Sequence, residues 1–110
     1  MNLKNKVVVV TGASQGLGKN VAQKLAKLEA IVVLIARTEQ LLQQVKQDIK
    51  KAGGKAEYFV CDIRDRKQIK STVKAITSQF KEIDILINNA GVWTDDSLEK
   101  ENPELKKGAF

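Results

Sequence analysis

The chain has 110 residues, of which 43% are hydrophobic, and carries a net charge of +6. That is one domain or part of one, enough for a single core burying roughly 60–70% of the unfolded surface, and a single proline with no low-complexity tract argues against disorder. With no histidine and one cysteine, Cys61, the composition excludes Ser-His-Asp and Cys-His catalysis, histidine- or cysteine-rich zinc sites and an intrachain disulfide.

Residues 6–10 read as a first strand that runs into a turn with glycines at Gly12, Gly16 and Gly18. A helix is expected from about 15 to 28, with Leu17, Val21, Leu25 and Leu28 at helical spacing. Residues 31–36 form a second, wholly apolar strand, suited to a sheet covered on both faces. A second helix opens near Thr38 as N-cap, with Leu42, Val45 and Ile49 as core positions and Leu41 beside them. Gly53-Gly54 ends it as a left-handed cap. A third strand is expected over 56–61, with Cys61 as a small buried residue. Asp65-Arg66-Lys67-Gln68 resembles a capping box and starts a third helix with the stripe Ile69, Val73, Ile76 and Phe80. A fourth strand covers 83–87, a polar loop 93–101, and Asn102-Pro103-Glu104 reads as one more helix start.

Strands alternating with helices predict an α/β domain whose parallel strands are joined by right-handed crossovers, with strand order 3-2-1-4 and helices on both faces. The turn at 11–18 then lies at the carboxyl edge of the sheet beside the switch point between strands one and four, where open α/β sheets bind ligands. Apolar runs this short cannot span a membrane, which needs about 20 residues. The basic start at 1–6 has no apolar stretch behind it long enough to make a secretory signal, so a cytoplasmic setting is expected. Lysines spread over several helix faces without interleaved aromatic residues give a solvated surface, not a nucleic-acid site.

A glycine trio between a strand and a helix is the build of a phosphate site, where free N–H groups and the positive end of the helix dipole face the ligand. The alternative is a merely structural tight turn. A Walker A loop fails, because Ala13 stands where its first glycine should and Lys19 is followed by Asn20. At the end of the second strand an acid marks a ribose hydroxyl site and an arginine a 2′-phosphate site. Here Arg37 and Thr38 follow Ala36, and the nearby acid, Glu39, falls in the first turn of a helix. A 2′-phosphorylated cofactor is the reading, with a solvated Arg37 as the alternative. Asp62 ends the third strand and could accept an adenine amino group or simply form a turn. Asn88 and Asn89 can bridge strand ends, and Ala90 and Gly91 leave room for a ring.

Thr11-Gly12-Ala13-Ser14-Gln15-Gly16-Leu17-Gly18, Asp62 and Asn88-Asn89-Ala90-Gly91 together resemble the short-chain dehydrogenase/reductase family, over essentially the whole chain. Its 3-oxoacyl-carrier-protein reductases and similar general reductases are the nearest in look. The resemblance implies a Rossmann-like, partial doubly wound sheet that binds NADP, with NAD as the alternative. It implies that Gly12, Gln15, Gly16, Leu17 and Gly18 line the pyrophosphate turn, and that Ser14, Arg37 and Thr38 hold the 2′-phosphate. Asp62 and Ile63 would meet the adenine, and Asn88, Ala90 and Gly91 the adenosine ribose. Gln15 stands where many NADP-using members carry a basic residue. The family's catalytic serine and Tyr-x-x-x-Lys pair have no counterpart here, since the one tyrosine, Tyr58, is followed at the fourth position by Asp62. Residues 1–110 are therefore expected to be the cofactor-binding part, truncated before the catalytic segment and inactive alone. The other reading is a non-catalytic nucleotide-binding or dimerising module. A homo-oligomer is expected through the apolar strand 83–87 or the last helix.

Overall fold

Runs of valine, isoleucine and leucine have no polar face to offer water, so they settle in a sheet covered on both sides. The computed structural model, which describes residues 2–89, shows this arrangement. The elements are β1 (Val7–Thr11), α1 (Gly16–Lys27), β2 (Ile31–Ala36), α2 (Glu39–Lys51), β3 (Lys55–Val60), α3 (Arg66–Phe80) and β4 (Ile85–Ile87). All pairings are parallel and the order is β3-β2-β1-β4, as the alternation predicted. Successive side chains point to opposite faces. Val8, Val10, Val32 and Leu34 pack with residues of α1 and α2, while Val7, Val9, Val33 and Ile35 pack with Ile76 of α3 and Cys61.

The stripe of α1 departs from expectation. Leu17 and Leu28 are exposed, at 66% and 58%, and the buried positions are Gly18, Ala22 and Ala26. Small residues let the helix lie close to the sheet at these positions; of the expected stripe, Leu25 is partly buried and packs against the core. In α2 the predicted core residues Leu42, Val45 and Ile49 are buried, with Leu41 largely outside. In α3 the predicted Val73 is exposed, and Thr72 is buried one position earlier, beside Ile76. Thr72 lies within hydrogen-bonding reach of the Cys61 sulfur. Burial pushes the Cys61 thiol up, and this hydrogen bond only partly opposes it.

Helix ends follow their local chemistry. Asp65 caps α3, accepting from the Lys67 and Gln68 main-chain N–H groups at 2.9 and 3.4 Å. Gln68 does not reach back to the cap's own N–H, as a capping box would. Its Oε1 accepts from the N–H of Asp62 at 2.8 Å instead. α2 ends in a Schellman turn, with Gly54 N–H on the Ile49 carbonyl, Gly53 N–H on that of Lys50, and Gly53 at φ +89°. The same pair of bonds ends α1, from Ala30 to Leu25 and from Glu29 to Ala26, but here a glutamate holds the left-handed position at φ +69°.

Strand limits shift by a residue or two from the expected ones. β4 starts at Ile85 because Asp84 pairs with Val7 differently: its Oδ2 accepts from the Val7 N–H at 2.8 Å while its own N–H donates to the Val7 carbonyl at 2.9 Å. The loop and helix start predicted beyond residue 92 lie outside the described residues.

The two left-handed caps predict opposite responses. Glu29→Gly should stabilise the fold by roughly 0.5–1 kcal/mol by relieving an unfavourable φ, and Gly53→Ala should cost about 1 kcal/mol. Urea denaturation followed by circular dichroism checks both signs.

Candidate nucleotide site

The carboxyl ends of β1, β2, β3 and β4 bring the predicted residues to one edge. After Thr11 the chain turns through Gly12 at φ +62° and Gly16 at φ +61°, a left-handed conformation natural to glycine. The Ala13 N–H donates to the Ile35 carbonyl at 3.2 Å, which ties the turn to β2. A side chain at Gly16 would meet open space. At Gly18 a Cβ would overlap the Gly12 carbonyl and crowd the Asn89 side-chain amide. The two glycines thus differ: Gly16 opens the mouth of the turn, and Gly18 lets the helix seat against it.

Gln15 is the N-cap of α1 in extended backbone, and its side chain makes no capping bond. No acid lies in the first turn. The first N–H groups of a helix have no acceptor within it, so here the helix presents them at the sheet edge together with its positive dipole end. Ser14 is half-buried beside them, and Leu17 stands exposed at the mouth. Arg37 and Thr38 are exposed at the end of β2, and Thr38, the N-cap of α2, also lacks a side-chain capping bond.

Other predicted residues are engaged within the chain. The Thr11 hydroxyl donates to Asn88 Oδ1 at 2.9 Å and accepts from the Asn89 N–H at 2.8 Å, which joins the ends of β1 and β4. This is the bridge expected of the asparagines, but Thr11 is its centre. Asp62 takes the turn role. Its Oδ1 accepts from the Arg64 N–H at 3.0 Å, and Arg64 Nε and Nη2 reach Oδ1 and Oδ2 at 3.1 and 3.2 Å. These bonds, above all the side-chain ones, hold the carboxyl below the usual carboxylate range, with Arg37 adding a smaller pull. Ile63 is half-buried and packs on the α3 side, so what it offers the edge is main chain. Ala90 and Gly91 lie outside the described residues.

Sequence reading gave Arg64 no part at this edge, named Thr11 only as part of the turn, and gave Asp84 no part at the opposite, amino end of the sheet, where it meets Val7. A hydroxyl residue closing an apolar strand, and an acid opening one, were the signals available. The whole arrangement supplies backbone donors, a hydroxyl and a guanidinium around a glycine-lined gap, which suits a ligand with separated phosphates. Among the described residues no group of histidine, cysteine and acidic side chains could hold a metal ion.

The family model described as short chain dehydrogenase matches residues 6–108. A fatty acyl-CoA reductase of Acinetobacter baylyi is 42% identical over 90 residues, which is 82% of this chain and 30% of that protein. A metagenomic short-chain oxidoreductase solved in complex with NADP superposes with a TM-score of 0.80 at 41% identity, covering 84% of this chain and 42% of that one. A Haemophilus influenza protein solved with bound NAD gives a TM-score of 0.78 at 33% identity, covering 83% of this chain and 32% of that one. The chain thus spans less than half the length of each.

The glycine geometry makes a sharp forecast. Gly18→Ala should cost about 1–3 kcal/mol, since backbone must move to admit one methyl group. Thermal unfolding and the amide resonances of 11–18 report it; a stability equal to wild type would contradict the close approach.

Proposed function

The chain belongs to the short-chain dehydrogenase family, and on that premise we propose that it is the NADP-holding part of an oxidoreductase acting on a carbonyl or alcohol. The observation that carries this reading is the uncapped start of α1 at a glycine-lined turn, with the Arg37 guanidinium at the neighbouring strand end. The domain assignment, residues 1–110 as a nucleotide-binding unit, is part of the proposal.

In this reading the pyrophosphate lies against the turn of Gly12, Gln15, Gly16, Leu17 and Gly18. Donors from the first turn of α1 would hold it, and Gly18 contributes by seating that helix. Ser14, Arg37 and Thr38 take the 2′-phosphate. A guanidinium offers forked, charge-assisted bonds worth on the order of 1.5–3 kcal/mol each, and a ribose hydroxyl would use them less well. The adenine falls beside Asp62 and the main chain of Ile63, and the adenosine ribose beside Asn88, Ala90 and Gly91. The cofactor, when bound, would give a hydride to a carbonyl in its reduced form or take one from an alcohol in its oxidised form; these residues would bind and orient it. NAD is the alternative cofactor, and Arg37 is what argues against it. The setting proposed is the cytoplasm, in keeping with the free thiol of Cys61; among the described residues no helix is long and apolar enough to cross a membrane.

Calorimetric titration of the full chain tests the cofactor. 2′,5′-ADP should bind more tightly than 5′-AMP by about tenfold or more, and Arg37→Ala should remove most of that preference. Equal affinity, or none for either, would refute the reading.

The edge of β4 favours assembly. Among the described residues β4 pairs only with β1, and Ile85–Ile87 is apolar and half-buried. Such an edge pairs readily with another strand, so a homodimer through it is proposed in place of a separate dimerising function. Light scattering at rising concentration should show a dimer; a monomer throughout would remove this part.

A further inference from the structure

Arg37 is flanked by two acids yet pairs with neither. Glu39 is two residues along the chain, and Asp62 is close enough to feel its charge. The Asp62 carboxylate forms an ion pair with Arg64. Asp62 is thus occupied by Arg64. Glu39 is occupied as well: its Oε2 accepts from the Tyr58 hydroxyl at 3.2 Å, and that hydroxyl accepts from Gln43 Nε2 at 3.1 Å.

Tyr58 is well placed to hold it. Its backbone lies in β3 in register with Leu34, its side chain packs on the α1- and α2-side core, and Lys46 Nζ stands 5.5 Å from the ring centre. Leu34 precedes Arg37 by three residues, so at about 3.3 Å per residue the tyrosine backbone lies roughly 10 Å back along the strands from Arg37. The hydroxyl draws the Glu39 carboxylate back along the sheet. Gln43, one helical turn beyond Glu39, fixes the hydroxyl from the helix side.

We propose that Tyr58 is a specificity-determining positioning residue, which holds Glu39 away from Arg37 and so keeps the guanidinium available to an anionic ligand. This rests on the reading that Arg37 receives the 2′-phosphate. A released Glu39 would compete for Arg37 as an exposed ion pair and would set a negative charge beside the phosphate. Such exposed pairs correspond to roughly a two- to fivefold change in affinity.

The test is calorimetric titration of the full chain with 2′,5′-ADP and with 5′-AMP. Tyr58→Phe should weaken 2′,5′-ADP two- to fivefold and leave 5′-AMP unchanged, and adding Glu39→Gln in the same chain should restore the loss. Glu39→Gln alone should change neither ligand appreciably, and it does not depend on how Tyr58→Phe folds. The inference is overturned if Tyr58→Phe leaves the preference undiminished, if Glu39→Gln fails to restore it, or if Glu39→Gln alone weakens 5′-AMP, which would place Glu39 on the ribose. It is also overturned if Glu39→Gln alone raises the 2′,5′-ADP preference as much as the predicted loss, since Glu39 would then already act on the phosphate. A wild-type chain with no preference removes the cofactor reading and this inference together; a preference undiminished in Tyr58→Phe removes the inference alone.

Discussion

The fit of α1 against the first turn governs the rest of this structure. Gly18 sits where any Cβ would strike the Gly12 carbonyl, with the Asn89 side chain close on another side. That contact fixes where the helix begins relative to β1. Ala22 and Ala26 continue the close approach one and two turns further along. The start of the helix is thereby held at the sheet edge, where its unpaired N–H groups and dipole face outward. A bulkier stripe would lift the helix and carry those donors away from the ends of β1 and β2.

The polar groups at this edge divide into two sets. Thr11 and Asn88 join the ends of β1 and β4, and Asp62 and Arg64 shape the turn after β3. These bonds set the positions of strand ends. The other set comprises the helix N–H groups and the side chains of Gln15, Arg37 and Thr38, which make no side-chain capping bond and form no ion pair among the described residues. A site that recognises separated phosphates needs both: a frame whose own polar groups are satisfied, and donors that the frame leaves pointing outward. The relatives solved with NADP and with NAD share this fold at TM-scores of 0.80 and 0.78. The fold alone therefore does not choose between the two nucleotides.

Some of this was legible before any coordinates. β2 and the core of α2 were read correctly because their apolar residues follow one clear period and are bounded by strong signals, Thr38 before α2 and Gly53-Gly54 after it. α1 was misread in detail. Its leucines gave the stronger hydrophobic signal, yet Leu17 and Leu28 are exposed and the contact is made by glycine and alanine. Hydrophobicity marks which residues prefer burial; the distance between helix and sheet decides which ones fit. Val73 is exposed too, and the buried position before it holds Thr72, within hydrogen-bonding reach of the Cys61 sulfur.

By itself, the sequence determined the order of strands and helices, the parallel topology, and the sheet edge at which the glycine turn lies. Those follow from local periodicity, from glycine's conformational freedom and from the handedness of crossovers, all of which act over short stretches. Only the tertiary structure decided which polar residues stay available there. Glu39 meets Tyr58 across 19 positions, and Thr11 meets Asn88 across 77. No local pattern encodes such pairings, since they exist only once β3 lies against α2 and β4 against β1.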